Sequence, residues 1–374
     1  MSEDDTQATL PRAARAPIRR ERQEVVLTVL AHFDVSYVGA LARVAPRVEL
    51  SRKAPEFTLL SGEERALGDP FLSRKPLRVG VEDEEVVLDA GAGAGPVRLD
   101  GRLLDAKRPR RLRREELDEG VVLELDGRVA VLLHRRVVLP RVESGDMGLV
   151  GVSEGMQRLR ATVRKVAPTP LSVLICGDSG TGKELIAGAV HRASERSARP
   201  LETLNMAAVT PSLAASELFG HSRGAFTGAK TNHVGAFERA DGGSLFLDEI
   251  GDTPGEMQPL LLRALEAGEI MPVGASTPRT VDVRVIAATD VDLEAAIAAG
   301  DFRTSLLHRL SGFRIDVPPL SGRREDIGLL VVHFLRQELE RIGAMRCLEP
   351  DPHRSWLSAT TLARMARYAW PGNV

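Results

Sequence analysis

Cysteine, long apolar runs and an excess of either charge are what this 374-residue chain lacks. Its two cysteines, Cys176 and Cys347, lie far apart and form no CxxC pair, so we expect no disulfide framework and a reducing, cytoplasmic setting. No apolar run approaches the ~20 residues that span a bilayer, and the polar N-terminus has no signal core, so we expect neither a membrane partner nor secretion. The formal net charge of −2 gives no overall electrostatic footprint for nucleic acid.

What is present is an ordinary globular composition, with 43% hydrophobic and 27% charged residues. A chain of this length predicts two or three domains. The mixed-charge residues 1–22 predict a disordered arm. A second polar stretch, 141–146, predicts a linker between an N-terminal and a C-terminal part.

The N-terminal part, 23–140, carries short apolar runs bounded by Gly, Asp and Pro, a pattern that predicts an all-β sandwich. The runs are Val25–Leu30, Leu77–Val81, Val86–Leu88, Val121–Leu125, Val129–Leu133 and Val137–Leu139. Between two of them, Asp126-Gly127 predicts the turn of a hairpin.

This part resembles a forkhead-associated (FHA) domain, a sandwich that binds phosphothreonine proteins. The matching stretches are 50–52, 72–74, 97–103 and 117–131. Pro76 and Ala94 stand where the family has His and Asn. The resemblance makes Arg52, Ser73 and Arg74 candidate phosphopeptide ligands, because a guanidinium offers forked, charge-assisted hydrogen bonds. The alternative is a regulatory sandwich that no longer reads phosphothreonine.

The C-terminal part begins at 147 with alternating strand and helix patterns over 147–317, as in a parallel α/β domain. The apolar run Leu171–Cys176 predicts a strand buried on both faces, and Glu184–His191 predicts a helix. A glycine-rich loop between strand and helix is the context of a phosphate-binding loop, whose N–H groups and lysine bind phosphates. The candidate ATP-binding residues are Gly177, Asp178, Ser179, Gly180, Thr181, Gly182, Lys183 and Glu184.

A second apolar strand ends in two acids, Asp248 and Glu249. The first is a candidate ligand for Mg²⁺ through water, and the second a candidate general base for an attacking water molecule. Glu184 stands where a phosphate-binding loop normally has the Ser or Thr that contacts Mg²⁺. Two acids after a strand, paired with an upstream phosphate loop, therefore predict a nucleotide-hydrolysing site.

The stretch Glu217–Ala229 reads ELFGHSRGAFTGA and has no obvious place in the α/β pattern. Its last six residues are Gly224, Ala225, Phe226, Thr227, Gly228 and Ala229. Glycines on both sides of one aromatic ring let the backbone bend where a side chain would clash. We expect a protruding loop with an apolar tip.

Taken together, the motifs resemble the AAA+ module of bacterial sigma-54-dependent transcription activators, the NtrC-like enhancer-binding proteins. The matching segments are GDSGTGKE, ELFGHSRGAFTGA, GGSLFLDEIGD and Phe302–Leu310. The resemblance covers 147–374 and implies ATP and Mg²⁺ as ligands and a hexameric ring. It also implies sigma-54 and RNA polymerase as partners, with Gly224–Ala229 as the sigma-54 contact.

The resemblance assigns further roles. Asn205 resembles the asparagine that holds the catalytic glutamate, here Glu249, in an inactive pose. Arg303 and Arg309 match two arginines that reach the γ-phosphate of the neighbouring subunit and stabilise transition-state charge. Asp290 stands where the family usually has an Asn that senses the γ-phosphate, and its carboxylate repels phosphate charge, which puts the rate of hydrolysis in question.

The last segment, 318–374, predicts two helices, Arg324–Gly343 and Thr360–Trp370, which match the helical lid of AAA+ proteins. Four residues crowd one face of the first helix: Leu329, Leu330, His333 and Phe334. The sequence stops inside the family's Trp-Pro-Gly-Asn-Val tract, before a nucleotide-sensing arginine and a DNA-binding helix-turn-helix. We therefore expect a truncated lid, with enhancer DNA a partner only through a domain outside this sequence.

Three functions stay open. The first is an ATP-hydrolysing activator that remodels sigma-54 RNA polymerase through the exposed loop and is regulated by the FHA-like domain. The second is another AAA+ remodelling ATPase, such as a chaperone, which would not need GAFTGA. The third is a weakly active or non-enzymatic regulator that forms mixed rings, suggested by Asp290 and the missing lid arginine. An inactive dimer is a further assembly that the family resemblance allows.

Overall fold

A computed structural model describes residues 23–91, 94–137, 147–226 and 229–374 of the chain. The predicted arm at 1–22, the linker at 141–146 and the last three residues of the predicted sandwich lie outside the described residues, as do Thr227 and Gly228. Within the described ranges, no helix has the length and apolarity needed to cross a membrane.

The N-terminal part is built from two antiparallel sheets packed on a common core. Its elements are β1 (Gln23–Ala31), β2 (Leu41–Arg43), β3 (Arg47–Leu50), β4 (Glu56–Thr58), β5 (Glu64–Ala66), β6 (Leu77–Glu82), β7 (Glu85–Asp89), β8 (Val97–Leu99), β9 (Arg102–Leu103), β10 (Arg110–Leu112), α1 (Arg114–Glu119), β11 (Val121–Leu125) and β12 (Val129–Val137). The described strands run β5-β4-β2-β1-β12-β11-β8-β9 in one sheet and β10-β7-β6-β3 in the other. The predicted sandwich is confirmed, with one short helix, α1, that the strand pattern did not indicate.

The predicted hairpin is also confirmed, because Leu125 of β11 pairs with Val129 of β12 across the turn. Asp126 and Gly127 have φ of 51° and 66°, the left-handed region that a tight hairpin turn requires. The separate run expected at 137–139 is the end of β12 as far as the structure describes it.

Both faces of β1 are buried, which explains its nearly continuous apolar sequence. Leu27 and Val29 point into the core between the two sheets. Leu30 and Ala31 pack instead against the C-terminal helices, in a second apolar cluster with Leu362. The outer face of the large sheet is therefore covered by the rest of the chain.

The C-terminal part has a five-stranded parallel sheet in the order β14-β15-β18-β13-β19, with helices on both faces. Its elements are α2 (Glu154–Val166), β13 (Val173–Cys176), α3 (Lys183–Arg192), β14 (Leu201–Asn205), α4 (Pro211–Phe219), α5 (Ala236–Arg239), β15 (Ser244–Asp248), α6 (Gln258–Ala267), β16 (Glu269–Ile270), β17 (Arg279–Thr280), β18 (Arg284–Thr289), α7 (Leu293–Ala299), α8 (Thr304–Leu310), β19 (Phe313–Asp316), α9 (Ile327–Arg341) and α10 (Ala359–Arg367). The carboxyl ends of β13, β15 and β18 meet at one edge of this sheet, where parallel α/β folds bind ligands.

The two lid helices form close to the predicted ranges, but the predicted face of α9 is only partly buried. Leu330 packs against the apolar cluster and Phe334 is exposed, whereas the fully buried residues are Ile327, Gly328 and Val332. The reason is the sandwich: α9 lies against β1 so closely that a side chain at Gly328 would clash with the carbonyl oxygen of Leu30. The helix pattern alone held no information about this neighbour.

Candidate functional site

The phosphate-binding loop lies between β13 and α3, as predicted. Gly180 and Gly182 have φ of 75° and 96°, which favour glycine, and Gly182 is the N-cap of α3. Lys183 is only 7% exposed, and its Nζ donates a 3.0 Å hydrogen bond to the carbonyl of Gly177. The loop thus curls around its own lysine, with the N-terminus of α3 facing the same space.

Glu249 follows the end of β15 in a left-handed conformation, with φ of 50°. Its Oε1 lies 3.5 Å from Nζ of Lys183, and its Oε2 lies 3.4 Å from the backbone N of Asp290. Strained non-glycine residues of this kind cost of order 1–3 kcal/mol and cluster at functional sites. The predicted ATP-binding lysine and the predicted general base are thus brought together.

Burial raises the pKa of Glu249, the nearby positive charge of Lys183 lowers it, and the carboxylates of Asp290 and Asp248 raise it again. The net direction is upward, so the carboxylate holds a proton more readily than an exposed glutamate does.

Asn205 is bonded to Asp248 and not to Glu249. Its Nδ2 donates a 3.0 Å hydrogen bond to Oδ2 of Asp248, and its Oδ1 accepts from the N–H of Ala208. The cause is the register of β14 and β15, which places Asn205 directly beside Asp248. The glutamate partner expected from the family resemblance is therefore wrong for this conformation.

The donor set suits a magnesium ion held mainly by phosphate and water. Asp248 offers a half-buried carboxylate, one oxygen of which is already bonded to Asn205. Among the described residues, no group of three or more His, Cys, Asp or Glu side chains could enclose a metal. Mg²⁺ keeps several waters and binds through one or two carboxylates plus phosphate oxygens, so a single carboxylate beside a phosphate loop fits it.

Asp290 lies at the end of β18, beside an open cleft of about 410 Å³. The cleft runs from Gly177 and Asp178 to the ends of β18 and β19. Asp290 is exposed, as is Glu184 in the first turn of α3. A phosphate bound at this edge would therefore lie near the carboxylate of Asp290, as expected from the sequence.

The two candidate arginine fingers lie at the two ends of α8 and are exposed. Arg303 precedes the helix, and its backbone N–H donates to the side chain of Gln258. Arg309 donates two hydrogen bonds, of 2.9 and 2.7 Å, to the carbonyl of Leu265 at the end of α6. Within the described ranges, neither guanidinium contacts the phosphate loop of its own chain.

The described part of the exposed loop is a tight turn. The N–H of Gly224 donates to the carbonyl of Ala229, and the N–H of Ala229 donates to that of Phe226. The ring of Phe226 is 42% exposed and meets the edge of His221 at 4.9 Å between centroids. His221 in turn stacks on His233 at 5.5 Å. The partly exposed ring of Phe226 therefore packs on His221, which His233 supports from its other side.

Two residues at the site were missed by the sequence reasoning, Arg323 and Asn373. Arg323 is buried and donates to the carbonyl of Thr181. Asn373 donates to the carbonyl of Ser179 and accepts from the N–H of Leu320. The only signal was the Trp-Pro-Gly-Asn tract, in which an asparagine with φ of 58° adopts a turn conformation.

The candidate phosphopeptide residues lie at one end of the sandwich. Arg52 is half-buried and donates to the carbonyl of Pro70. The backbone N–H of Ser73 already donates a 2.8 Å hydrogen bond to Oδ2 of Asp126. The cavity lined by Ser73 and Asp126 measures only about 20 Å³. The backbone N–H of Ser73 is therefore already occupied by a carboxylate, and Arg74 is exposed next to Ser73.

Comparison with known proteins assigns the α/β part. Residues 149–316 match the family described as Sigma-54 interaction domain. The transcriptional regulatory protein ZraR of Escherichia coli (strain K12) is 49% identical over 236 residues, which are 63% of this chain and 52% of that protein. The DNA-binding transcriptional regulator NtrC of the same organism is 48% identical over 227 residues, 60% of this chain and 46% of that protein. The chain spans about half the length of these curated relatives.

Solved structures give the same assignment. Crystal structures of NtrX from Brucella abortus, in complex with ADP and with ATP, are 41% identical at a TM-score of 0.53. The alignment covers 60% of this chain and 47% of NtrX. Together with the parallel sheet and its phosphate loop, these matches identify residues 149–316 as a sigma-54 interaction domain with the AAA+ P-loop ATPase fold, homologous to that of the NtrC- and ZraR-type sigma-54-dependent activators.

Proposed function

We propose that this chain is an ATP-hydrolysing activator of the sigma-54 form of RNA polymerase. The observation that carries the proposal is the approach of Lys183 to Glu249, 3.5 Å apart, beside Asp248. In this chain the same sheet edge is followed by the GAFTGA loop, because Asn205 ends β14 and α4 leads from it to Gly224. The site and the loop are thus neighbours along the sequence and in the fold.

The chemistry assigned to the site is the attack of water on the γ-phosphorus of ATP, which breaks the bond to the β–γ bridging oxygen and releases ADP and inorganic phosphate. Lys183 binds the β- and γ-phosphates, and the loop N–H groups bind the rest of the triphosphate. Glu249 orients the water and accepts its proton, a role for which a raised pKa is suited. Mg²⁺, held by Asp248 and water, would neutralise charge on the phosphates.

Coupling between site and loop is assigned to Asn205. Its amide bonds to Asp248 and to the backbone at Ala208, the first turn of chain leading to α4. A change at the phosphates that moves Asp248 therefore pulls on the segment that carries the loop. Phe226 and Thr227 are the proposed contacts for sigma-54.

A ring of subunits completes the site. Arg303 and Arg309 are exposed at the two ends of α8, and within the described residues neither guanidinium contacts the phosphate loop of its own chain, so we assign them to the neighbour's γ-phosphate. Arg309 would first leave the carbonyl of Leu265. A hexamer is the assembly proposed, by analogy with the family.

The sandwich is proposed to regulate this motor through the lid. Trp356 Nε1 donates to the carbonyl of His32, and Arg128 Nη2 donates to the carbonyl of Pro352. Arg367 of α10 donates to the carbonyl of Asp100. These contacts, and the apolar cluster beneath them, tie lid movements to the N-terminal part.

Two measurements on the purified chain test the proposal. ATP turnover at concentrations where rings form, with Lys183→Ala as the blank, should show hydrolysis; its absence would favour the non-enzymatic regulator. Capture of sigma-54 in the presence of ATP and a transition-state mimic should depend on Thr227. Turnover without sigma-54 capture would favour another AAA+ remodelling ATPase.

A further inference from the structure

A positive side chain of the sandwich reaches into the junction between the α/β part and the lid. Arg136, in β12, is 6% exposed, and its Nη2 donates a 3.2 Å hydrogen bond to the carbonyl of Val152. One residue later, the N–H of Val137 donates to Oε2 of Glu154 at the start of α2. The end of β12 therefore holds the segment that opens the ATPase part.

The same segment is held from its other side by Asp326, whose side chain is fully buried at the start of α9. The N–H groups of Val152 and Ser153 donate to its Oδ1 at 2.5 and 2.8 Å. The hydroxyl of Ser153 donates to its Oδ2 at 2.6 Å. Gly151 is confined as well, since a side chain there would come within 2.9 Å of the carboxyl carbon of Asp326.

From Asp326 the contacts continue to the phosphate loop. Arg323 is 4% exposed, lies beside the Asp326 charge, and donates from Nη2 to the carbonyl of Thr181 at 3.2 Å. The backbone N–H of Asp326 donates a 3.0 Å hydrogen bond to the carbonyl of Arg323, so hydrogen bonds and neighbouring residues connect Arg136 through Val152, Asp326 and Arg323 to Thr181 in the phosphate loop.

The charges at this junction are few and face one another. Two carboxylates, Glu325 and Asp326, are buried side by side, and the partly exposed Glu154 adds a third. Burial raises the pKa of Glu325 to about 7, Asp326 and Glu154 add to this, and the positive charge of Arg136 opposes it. Nε of Arg136 is buried and has no hydrogen-bond partner among the described residues. The positive charge of Arg136 is therefore not fully neutralised by its own hydrogen bonds and acts on the neighbouring carboxylates.

We propose that Arg136, a residue of the N-terminal sandwich, is a positioning residue of the nucleotide site. It balances the buried carboxylates of Glu325 and Asp326 and so holds segment 151–153 and Arg323 against the phosphate loop. The sandwich is by this inference a structural part of the nucleotide site. The inference depends on the proposed function only in requiring that the phosphate loop binds adenine nucleotide.

The test measures binding of a fluorescent ADP analogue to the full chain. Arg136→Met removes the charge and keeps the stem, Arg136→Lys keeps the charge, and Arg135→Met is the matched control on the same strand. Arg135 pairs with Asp118 inside the sandwich. We expect Arg136→Met to weaken ADP binding at least about tenfold, with Arg136→Lys recovering most of it, because a buried charge left without its partner is strongly unfavourable.

A pH series separates positioning from simple loss of packing. Without Arg136 the pKa of Glu325 rises further, so Glu325 is protonated at pH 6 and adds no negative charge to the junction. As the pH rises toward 8.5, a growing fraction of Glu325 ionises and adds a negative charge that no arginine at position 136 balances. The loss of ADP binding caused by Arg136→Met should therefore be smaller at pH 6 than at pH 8.5. Adding Glu325→Gln to this variant should restore ADP binding at pH 8.5.

The outcomes are distinct. Equal ADP binding by Arg136→Met and Arg135→Met overturns the inference, as does a loss that is independent of pH and is not rescued by Glu325→Gln. If the wild-type chain binds ADP no better than Lys183→Ala, the proposed function fails first. If Arg136→Met alone does not fold, the double variant with Glu325→Gln decides: folding with restored binding supports the inference, and folding without binding overturns it.

Discussion

The amide of Asn205 donates a 3.0 Å hydrogen bond to the carboxylate of Asp248, its neighbour across two parallel strands. The bond joins the proposed metal-binding acid to the chain that leads into the exposed loop. Asn205→Ala should lower ATP turnover about tenfold, because a hydrogen bond to a charged group contributes on the order of 1.5–3 kcal/mol. It should also abolish any change of turnover on adding sigma-54.

The matched control for this change is Thr203→Ala, an exposed residue on the same strand. Steady-state turnover with and without sigma-54 is the measurement. If Asn205→Ala responds to sigma-54 as the wild type does, the coupling assigned to this bond is wrong.

Asp290 should set the acid limit of ATP turnover. After burial, which is the main cause of the raised pKa of Glu249, the carboxylate of Asp290 raises that pKa further. Asp290→Asn removes this charge and should lower the pKa of Glu249, so that the base stays ionised to lower pH. The acid limb of the pH–rate profile should then move to lower pH, while Asp301→Asn, an exposed acid outside the cleft, should leave it in place. A shift toward higher pH would contradict the assignment of Glu249 as the base.

His134 should make the sandwich sensitive to acid. It is fully buried and contacts the hydroxyl of Thr28 at 2.9 Å. Burial lowers its pKa from 6.5 to about 3, with the charge of Arg136 acting in the same direction. The stabilisation that the neutral His134 gives the folded protein is complete above pH 6.5, where the residue is neutral in both the folded and the unfolded chain. It is lost progressively as the pH falls toward 3, because the unfolded chain takes up the proton first.

Urea unfolding at pH 7.5 and pH 5 measures this loss. His134→Gln, which can still bond to Thr28, should unfold at a urea concentration that changes less between the two pH values. The exposed residue His308, changed to Gln, should behave as the wild type does. An equal pH dependence in all three proteins would rule out His134 as the source.

Replacing Gly328 with a larger residue should destabilise the protein, because β1 lies against it. A side chain there would clash with the carbonyl of Leu30. Gly328→Ala should destabilise the contact between sandwich and lid by about 1–3 kcal/mol, the usual cost of overpacking. Gly322→Ala, where the nearest atom lies 3.9 Å away, should be neutral by comparison. Thermal unfolding of the two variants decides, and equal melting temperatures would show that the two parts are not packed this closely.

Patterns of residues adjacent in sequence predicted much of the fold. Strand, glycine loop and helix predicted the phosphate loop around Lys183, and Asp126-Gly127 predicted its hairpin, because both depend on residues adjacent in sequence. The partner of Asn205 depended on the register of two strands that are 43 residues apart at this bond, which no local pattern encodes. The buried face of α9 depended on a neighbour from the other end of the chain.

Isolated polar residues were the hardest to place. Arg323 and Asn373 touch the backbone of the phosphate loop from the lid, far along the sequence. Nothing in the sequence distinguishes Arg136 from the other arginines, whereas in the structure it is buried and bonded to the carbonyl of Val152. Such residues act through tertiary contacts, so their roles emerge only when those contacts are known.

The most direct test of the central claim compares Thr227→Ala with the wild type in two assays, ATP turnover and open-complex formation by sigma-54 RNA polymerase. The control is Thr231→Ala, an exposed threonine just beyond the loop. We predict turnover within about twofold of the wild type and no open complexes for Thr227→Ala, since the change removes a proposed contact with sigma-54 and leaves the hydrolytic site intact. Open-complex formation equal to that of Thr231→Ala would contradict it.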